Sequence, residues 1–130
     1  IRAYSGGMED TAFNVRMVKA MRNLGLGLQM IQDGVNPIYQ LDDTFYPDQA
    51  LFSKAYNHVQ NPNEGFMALM VCDHADENCP LVQGMKYRIP LRYVDPKAYD
   101  DTENEERAYT EKVFEIGREI YYLFNGLSSF

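Results

Sequence analysis

Tryptophan is missing from the 130 residues, and histidine and cysteine occur only twice each. Two thiols, Cys72 and Cys79, are too few for a disulfide framework in a chain of this size and suit a reducing compartment. Basic residues are also scarce: Lys plus Arg is 12 against 19 for Asp plus Glu, a net charge of −7. That balance argues against nucleic acid or an anionic membrane as the main partner, although a small anion can still occupy a local site. The longest apolar stretch, Phe66 to Val71, falls far short of the roughly 20 residues that span a bilayer. No basic start leads into an apolar stretch and a small-residue cleavage site, so a soluble, unexported, cytoplasmic protein is expected. The first residue is Ile1 rather than Met, which suggests processing, an artificial start or an incomplete chain.

Phosphate-binding loops are lacking as well. Six positions after Cys72 stands Asn78, and six after Cys79 stands Met85, so neither cysteine opens a C-x5-R loop. No G-x-x-x-x-G-K-S/T segment occurs either. A zinc site would have to recruit Cys72, His74, Cys79 and His58, yet no C-x-x-C pair anchors one, and no metal is expected. The plainest reading of the two cysteines is a pair of free thiols, with Cys72 packed at a strand end. A bond between them would require the six intervening residues to fold back on themselves.

What is present reads as one α/β domain over residues 1–130. Ile1 to Ser5 is β-compatible and stops at Gly6-Gly7. Asn14 is a suitable N-cap for a helix carrying Phe13, Met17, Met21 and Leu24 on one side, with Gly25 as its stop. Asp33-Gly34 predicts a hairpin, and Ala50 to Tyr56 a short helix. The unbroken apolar run Phe66 to Val71 predicts a strand of a parallel sheet covered on both faces. Tyr87 to Tyr93 predicts an edge strand, because Pro90 has no N–H to offer a neighbour. Thr102 and Glu105 form a capping box before a long helix with Tyr109, Val113, Ile116, Ile120, Leu123 and Leu127 along one side.

Ligands of open α/β sheets bind beyond the carboxyl ends of the strands. Three such ends should meet there: Ser5-Gly6-Gly7, Cys72-Asp73-His74 and Asp95-Pro96. Proline holds Asp95 extended, so its carboxyl is placed either as a general acid or as a plain turn starter. The acidic group Asp100, Asp101, Glu103, Glu105 and Glu106 reads as the solvated, favourably charged start of the last helix.

The segment Val71-Cys72-Asp73-His74-Ala75-Asp76-Glu77-Asn78-Cys79-Pro80, with the strand into Val94-Asp95-Pro96 and the long final helix, resembles the low-molecular-weight protein tyrosine phosphatase superfamily, most closely its thioredoxin-coupled arsenate reductase branch. Tyr4-Ser5-Gly6-Gly7, Asn14 and Val18-Lys19-Ala20-Met21 resemble that family's second strand and second helix. The resemblance implies a three-layer αβα fold around a small parallel sheet, with the first βα unit and its nucleophile loop lying outside this chain. It implies Asp95 as general acid, Cys72 and Cys79 as the redox relay, a thioredoxin-type reductant and no bound cofactor. The substrate it implies is arsenate or a phosphate ester such as phosphotyrosine, and the 130 residues alone are expected to be inactive. An unfilled slot in the sheet would be closed by an N-terminal fragment or a second copy, or would serve a non-catalytic interaction protein that accepts a partner strand. A plain dithiol redox protein is a third possibility.

Overall fold

The computed structural model describes residues 1–42, 49–72 and 81–127, with Cys72 and Leu127 described by their backbone alone. Contacts group the chain into two compact units, Ile1–Ala12 with Gly34–Asn36 and Phe52–Asp95, and Phe13–Asp33 with Pro37–Leu51 and Pro96–Phe130.

The second unit is built on two helices and an antiparallel sheet. Helix α1, Val15–Asn23, starts where Asn14 Oδ1 accepts the Arg16 N–H at 2.9 Å. It stops at Gly25, whose φ of +88° suits a residue without a Cβ. Arg22 in its last turn donates both Nε and Nη2 to the Leu28 carbonyl, at 2.9 and 2.7 Å, tying the helix end to the next strand. Strands β1 (Leu28–Gln32), β2 (Ile38–Leu41) and β3 (Ala50–Leu51) pair antiparallel in that order. The predicted hairpin is therefore present, with a bulge between Met30 and Gln32. Val18, Leu28 and Tyr39 form the buried centre, with Phe13, Met21, Leu41 and Leu51 packed against it. Leu24 does not join this core and stays 41% exposed.

A 3₁₀ turn at Pro96–Tyr99 leads to helix α2, Glu105–Leu127. Tyr109 is buried, and Val113, Ile116, Ile120 and Leu123 are half-buried, as the spacing predicts. The cap differs from the predicted box. Asn104, not Thr102, accepts the first helical bond, from the Ala108 N–H. Glu105 reaches back to the Asp101 N–H at 2.7 Å, and Asp101 takes a φ of +59° to offer it.

In the first unit, strands β4 (Phe66–Cys72) and β5 (Met85–Tyr93) pair in parallel. The chain is thus α/β with a small parallel sheet. Among the described residues β5 is an edge strand, the position that Pro90 tolerates. Coverage of β4 is thinner than its unbroken apolar run predicts: Met70 is buried, but Val71 is 47% exposed.

Two expected elements are different here. Ile1 to Ser5 is exposed and forms no strand; the local pairing is a single parallel bridge between Gly7 and Ala55. Residues 50–55 are extended rather than helical and Tyr56 enters a turn, because their backbone groups bond to distant partners. Asn36 takes both the N–H and the carbonyl of Ser53, and Gly7 takes the Lys54 carbonyl and the Tyr56 N–H.

Candidate functional site

The parallel pairing of β4 with β5 decides where the chemistry-bearing residues of the first unit fall. At the amino ends, Gly65 N–H donates to the Gly84 carbonyl at 2.8 Å, and Phe66 lies opposite Met85. Both glycines have positive φ, +74° and +86°, and a Cβ on Gly84 would collide with the Asn63 carbonyl. This close crossing sets the strands in register. At the carboxyl ends, Cys72 lies opposite Tyr93, which is only 5% exposed and anchors that end of β5.

Asp95 follows two residues beyond Tyr93 and is exposed. Cys72 and Asp95 thus reach the same edge of one parallel pair, as expected for strands running in the same direction. The third expected contributor, Ser5-Gly6-Gly7, is joined not to this sheet but to residues 54–56 by the Gly7 bridge. Cys79 and His74 lie outside the described residues. Among the described residues no group of three or more His, Cys, Asp or Glu side chains is arranged to hold a metal. No described helix is long and apolar enough to cross a membrane.

One residue of this unit escaped the sequence reading. Lys54 is only 8% exposed, and its Nζ stands 4.8 Å from the centroid of the Phe52 ring. Burial alone pushes its pKa down from the ordinary 10.5. Nothing in Phe52-Ser53-Lys54-Ala55 signals this, since the groups that seat the segment come from residues 7, 11, 36 and 61.

The acidic group of the second unit is also more than a solvated helix start. Arg16 on α1 meets Glu105 at 2.8 Å, Asp101 at 2.8 Å and Asp100 at 3.6 Å. Lys19 pairs with Glu106 at 2.6 Å, and Asn23 donates to the same carboxylate. The Tyr109 hydroxyl donates to Asp100 at 2.7 Å. Hydrogen bonds from Arg16 and the Asp101 N–H hold the Glu105 carboxyl below its ordinary range, and Lys19 does the same for Glu106. This cluster joins α1 to α2, with each strong cation already matched by carboxylates, so its role is structural.

Fold and site together define an α/β protein with a cysteine and an aspartate at the carboxyl edge of a parallel strand pair. Over 118 residues the chain is 30% identical to an arsenate reductase of Halalkalibacterium halodurans, covering 90% of this chain and 70% of that protein. The chain belongs to the arsenate reductase family. No family model and no solved structure matches it.

Proposed function

We propose that these residues belong to an enzyme that reduces arsenate, with Asp95 as general acid and Cys72 and Cys79 as the thiols that carry oxidation away. The observation that supports this reading is the shared edge of Cys72 and Asp95 on β4 and β5 in a chain of this family. The chemistry requires a further thiolate in a C-x5-R loop, which these 130 residues do not contain. That thiolate attacks arsenic, and Asp95 gives a proton to the departing oxygen, which leaves as water. Two electrons then pass from sulfur to arsenic. In that step the Cys72 thiolate attacks the arsenic-bound sulfur, the S–As bond breaks with its electron pair going to arsenic, and arsenite is released; the resulting disulfide is attacked by Cys79 to give a Cys72–Cys79 disulfide, which an external dithiol of the thioredoxin type reduces. Alone, the 130 residues lack the attacking group and are expected to be inactive.

In the enzyme completed with the nucleophile segment, Cys72→Ser should abolish arsenate turnover and leave hydrolysis of an aryl phosphate monoester near its original rate. Loss of both activities would remove the relay role. Monoester hydrolysis without any arsenate turnover in the unaltered enzyme would make it a phosphatase of the same superfamily.

A second reading is favoured by the pairing of β4, which among the described residues has β5 alone as its neighbour. An interaction protein that accepts a partner strand would use that free edge. Protection of the β4 amides from hydrogen exchange on adding a strand-forming partner, with no turnover in the completed enzyme, would select it.

A further inference from the structure

Helix α2 carries two rows of side chains with the same spacing, and only one of them is covered within the chain. The inward row, Tyr109, Val113, Ile116, Ile120 and Leu123, advances by steps of four, three, four and three and is buried or half-buried. The outward row, Arg107, Glu111, Phe114, Arg118, Tyr121 and Asn125, advances by four, three, four, three and four, and every member is exposed. Alternating steps of three and four keep residues along one side of a helix over several turns, the pattern by which two helices lie side by side.

The outward row is not an ordinary solvated face. Phe114, Tyr121 and the adjacent Tyr122 are 62, 63 and 68% exposed, three aromatic rings grouped on one side of one helix rather than scattered singly. Gly117 lies between Phe114 and Tyr121, and a Cβ there would meet open space. A glycine inside a helix weakens it, and nothing within the chain requires one at this position. The close approach of a second helix would. Among the described residues Arg118 has no hydrogen-bond or ion-pair partner, whereas Arg107 is held by Glu111 at 2.7 Å.

The charges of the row select its occupant and its direction. A second copy laid parallel would set Arg107, Glu111 and Arg118 each against its own like charge. A second copy laid antiparallel, with a two-fold axis beside Ile116, sets 107 opposite 125, 111 opposite 121 and 114 opposite 118. Each Arg118 guanidinium then covers the Phe114 ring of the other copy. Each Glu111 carboxylate accepts from the other Tyr121 hydroxyl, and each Arg107 donates to the other Asn125 amide oxygen. All six positions meet a complementary group, and no like charges face one another. We propose that α2 pairs antiparallel with α2 of a second copy of this chain through this row. The proposal is independent of the reductase reading.

The test is sedimentation equilibrium of the 130-residue chain from about 1 to 100 μM. Salt at 0.15 M screens the repulsion between two copies of net charge −7 over about 8 Å. The mass should rise from that of one chain to that of two across this range. Phe114→Lys sets a second cation against Arg118 and should weaken pairing at least about tenfold. Phe114→Glu sets a carboxylate there and should stay within about threefold of the parent. Adding Arg118→Glu to Phe114→Lys should restore most of what Phe114→Lys loses. The substituted side chains are exposed, and circular dichroism should show unchanged helix content. A parent chain that stays monomeric at about 100 μM overturns the proposal without the need for any variant. Equal weakening by Phe114→Lys and Phe114→Glu overturns it as well, because a parallel pair or a plain apolar contact tolerates neither. A dimer that Phe114→Lys leaves intact uses another face and also overturns it. In the enzyme completed with the nucleophile segment, a persisting dimer with the same response to these substitutions supports the proposal, whereas a monomer means that the segment itself covers the row and overturns it.

Discussion

At the scale of single residues, three positions are set by what surrounds them more than by what they are. Gly84 has a φ of +86° and lies against Asn63, so it combines two reasons to exclude a side chain. Gly84→Ala is expected to destabilise the chain by about 2–4 kcal/mol, read as a lower urea midpoint with an unchanged slope. Gly25→Ala is the comparison, because Gly25 has a similar φ but open space around it, and it should cost only about 1 kcal/mol. Equal losses at the two sites would mean that the close crossing at the start of β4 and β5 contributes nothing. Asp95 and Lys54 are the other two, an exposed carboxyl at a strand end and a lysine whose stem is buried beside Phe52 on a pinned loop.

Among elements, the pairing of α1 with α2 carries a pH dependence whose direction follows from its ion pairs. Glu105 and Glu106 have folded pKa values below their ordinary 4.5, held there by Arg16 and Lys19 respectively. Groups of this kind contribute stability fully above the unfolded value and lose it as pH falls through the folded one. Thermal stability should therefore be level near neutrality and decline as pH drops below about 4.5. Replacing Glu105 by Gln should flatten part of that decline, measured by the melting temperature as a function of pH; an identical slope in the variant would show that this pair does not report on folding. The linkage is non-local in sequence, since Arg16 and Glu105 lie 89 positions apart.

Over the whole molecule, the net charge of −7 on these 130 residues would, on the reductase proposal, oppose the approach of an anionic substrate. Repulsion of this sort is screened over about 10 Å at 0.1 M salt. For the completed enzyme, arsenate kcat/KM should rise as ionic strength increases from about 0.01 to 0.1 M with a salt whose anion does not compete, and then level off. A steady fall over that range would indicate that local positive charge dominates the approach. The two compact units divide the chemistry: β4, β5, Asp95 and Lys54 belong to one, while the ion-pair cluster of α1 and α2 belongs to the other.

The chain's own order of residues determined its local structure where the cause is local. Asn14 and Gly25 bound α1, Phe66 to Val71 marks a parallel strand, and Pro90 restricts its strand to an edge. The resemblance to arsenate reductases was legible too, from the segment Val71 to Pro80, the strand into Val94-Asp95-Pro96 and the long final helix. Tertiary structure decided whatever depends on partners distant in the chain. Residues 50–56 read as helical because their apolar spacing is helical, yet Asn36, Gly7 and Asn61 bond to the backbone of residues 53–56 and hold residues 50–55 extended. Ile1 to Ser5 has strand-forming residues but no face to bury, so it forms none. Thr102 and Glu105 have the spacing of a capping box, but Arg16 and the Asp101 N–H draw the Glu105 carboxylate aside, and Asn104 begins the helix instead. Lys54 looks like any surface lysine in the sequence, and only the fold buries its stem beside the Phe52 ring. Local steric and capping preferences can be read from neighbouring residues, whereas burial and charge pairing exist only once segments dozens of residues apart have met.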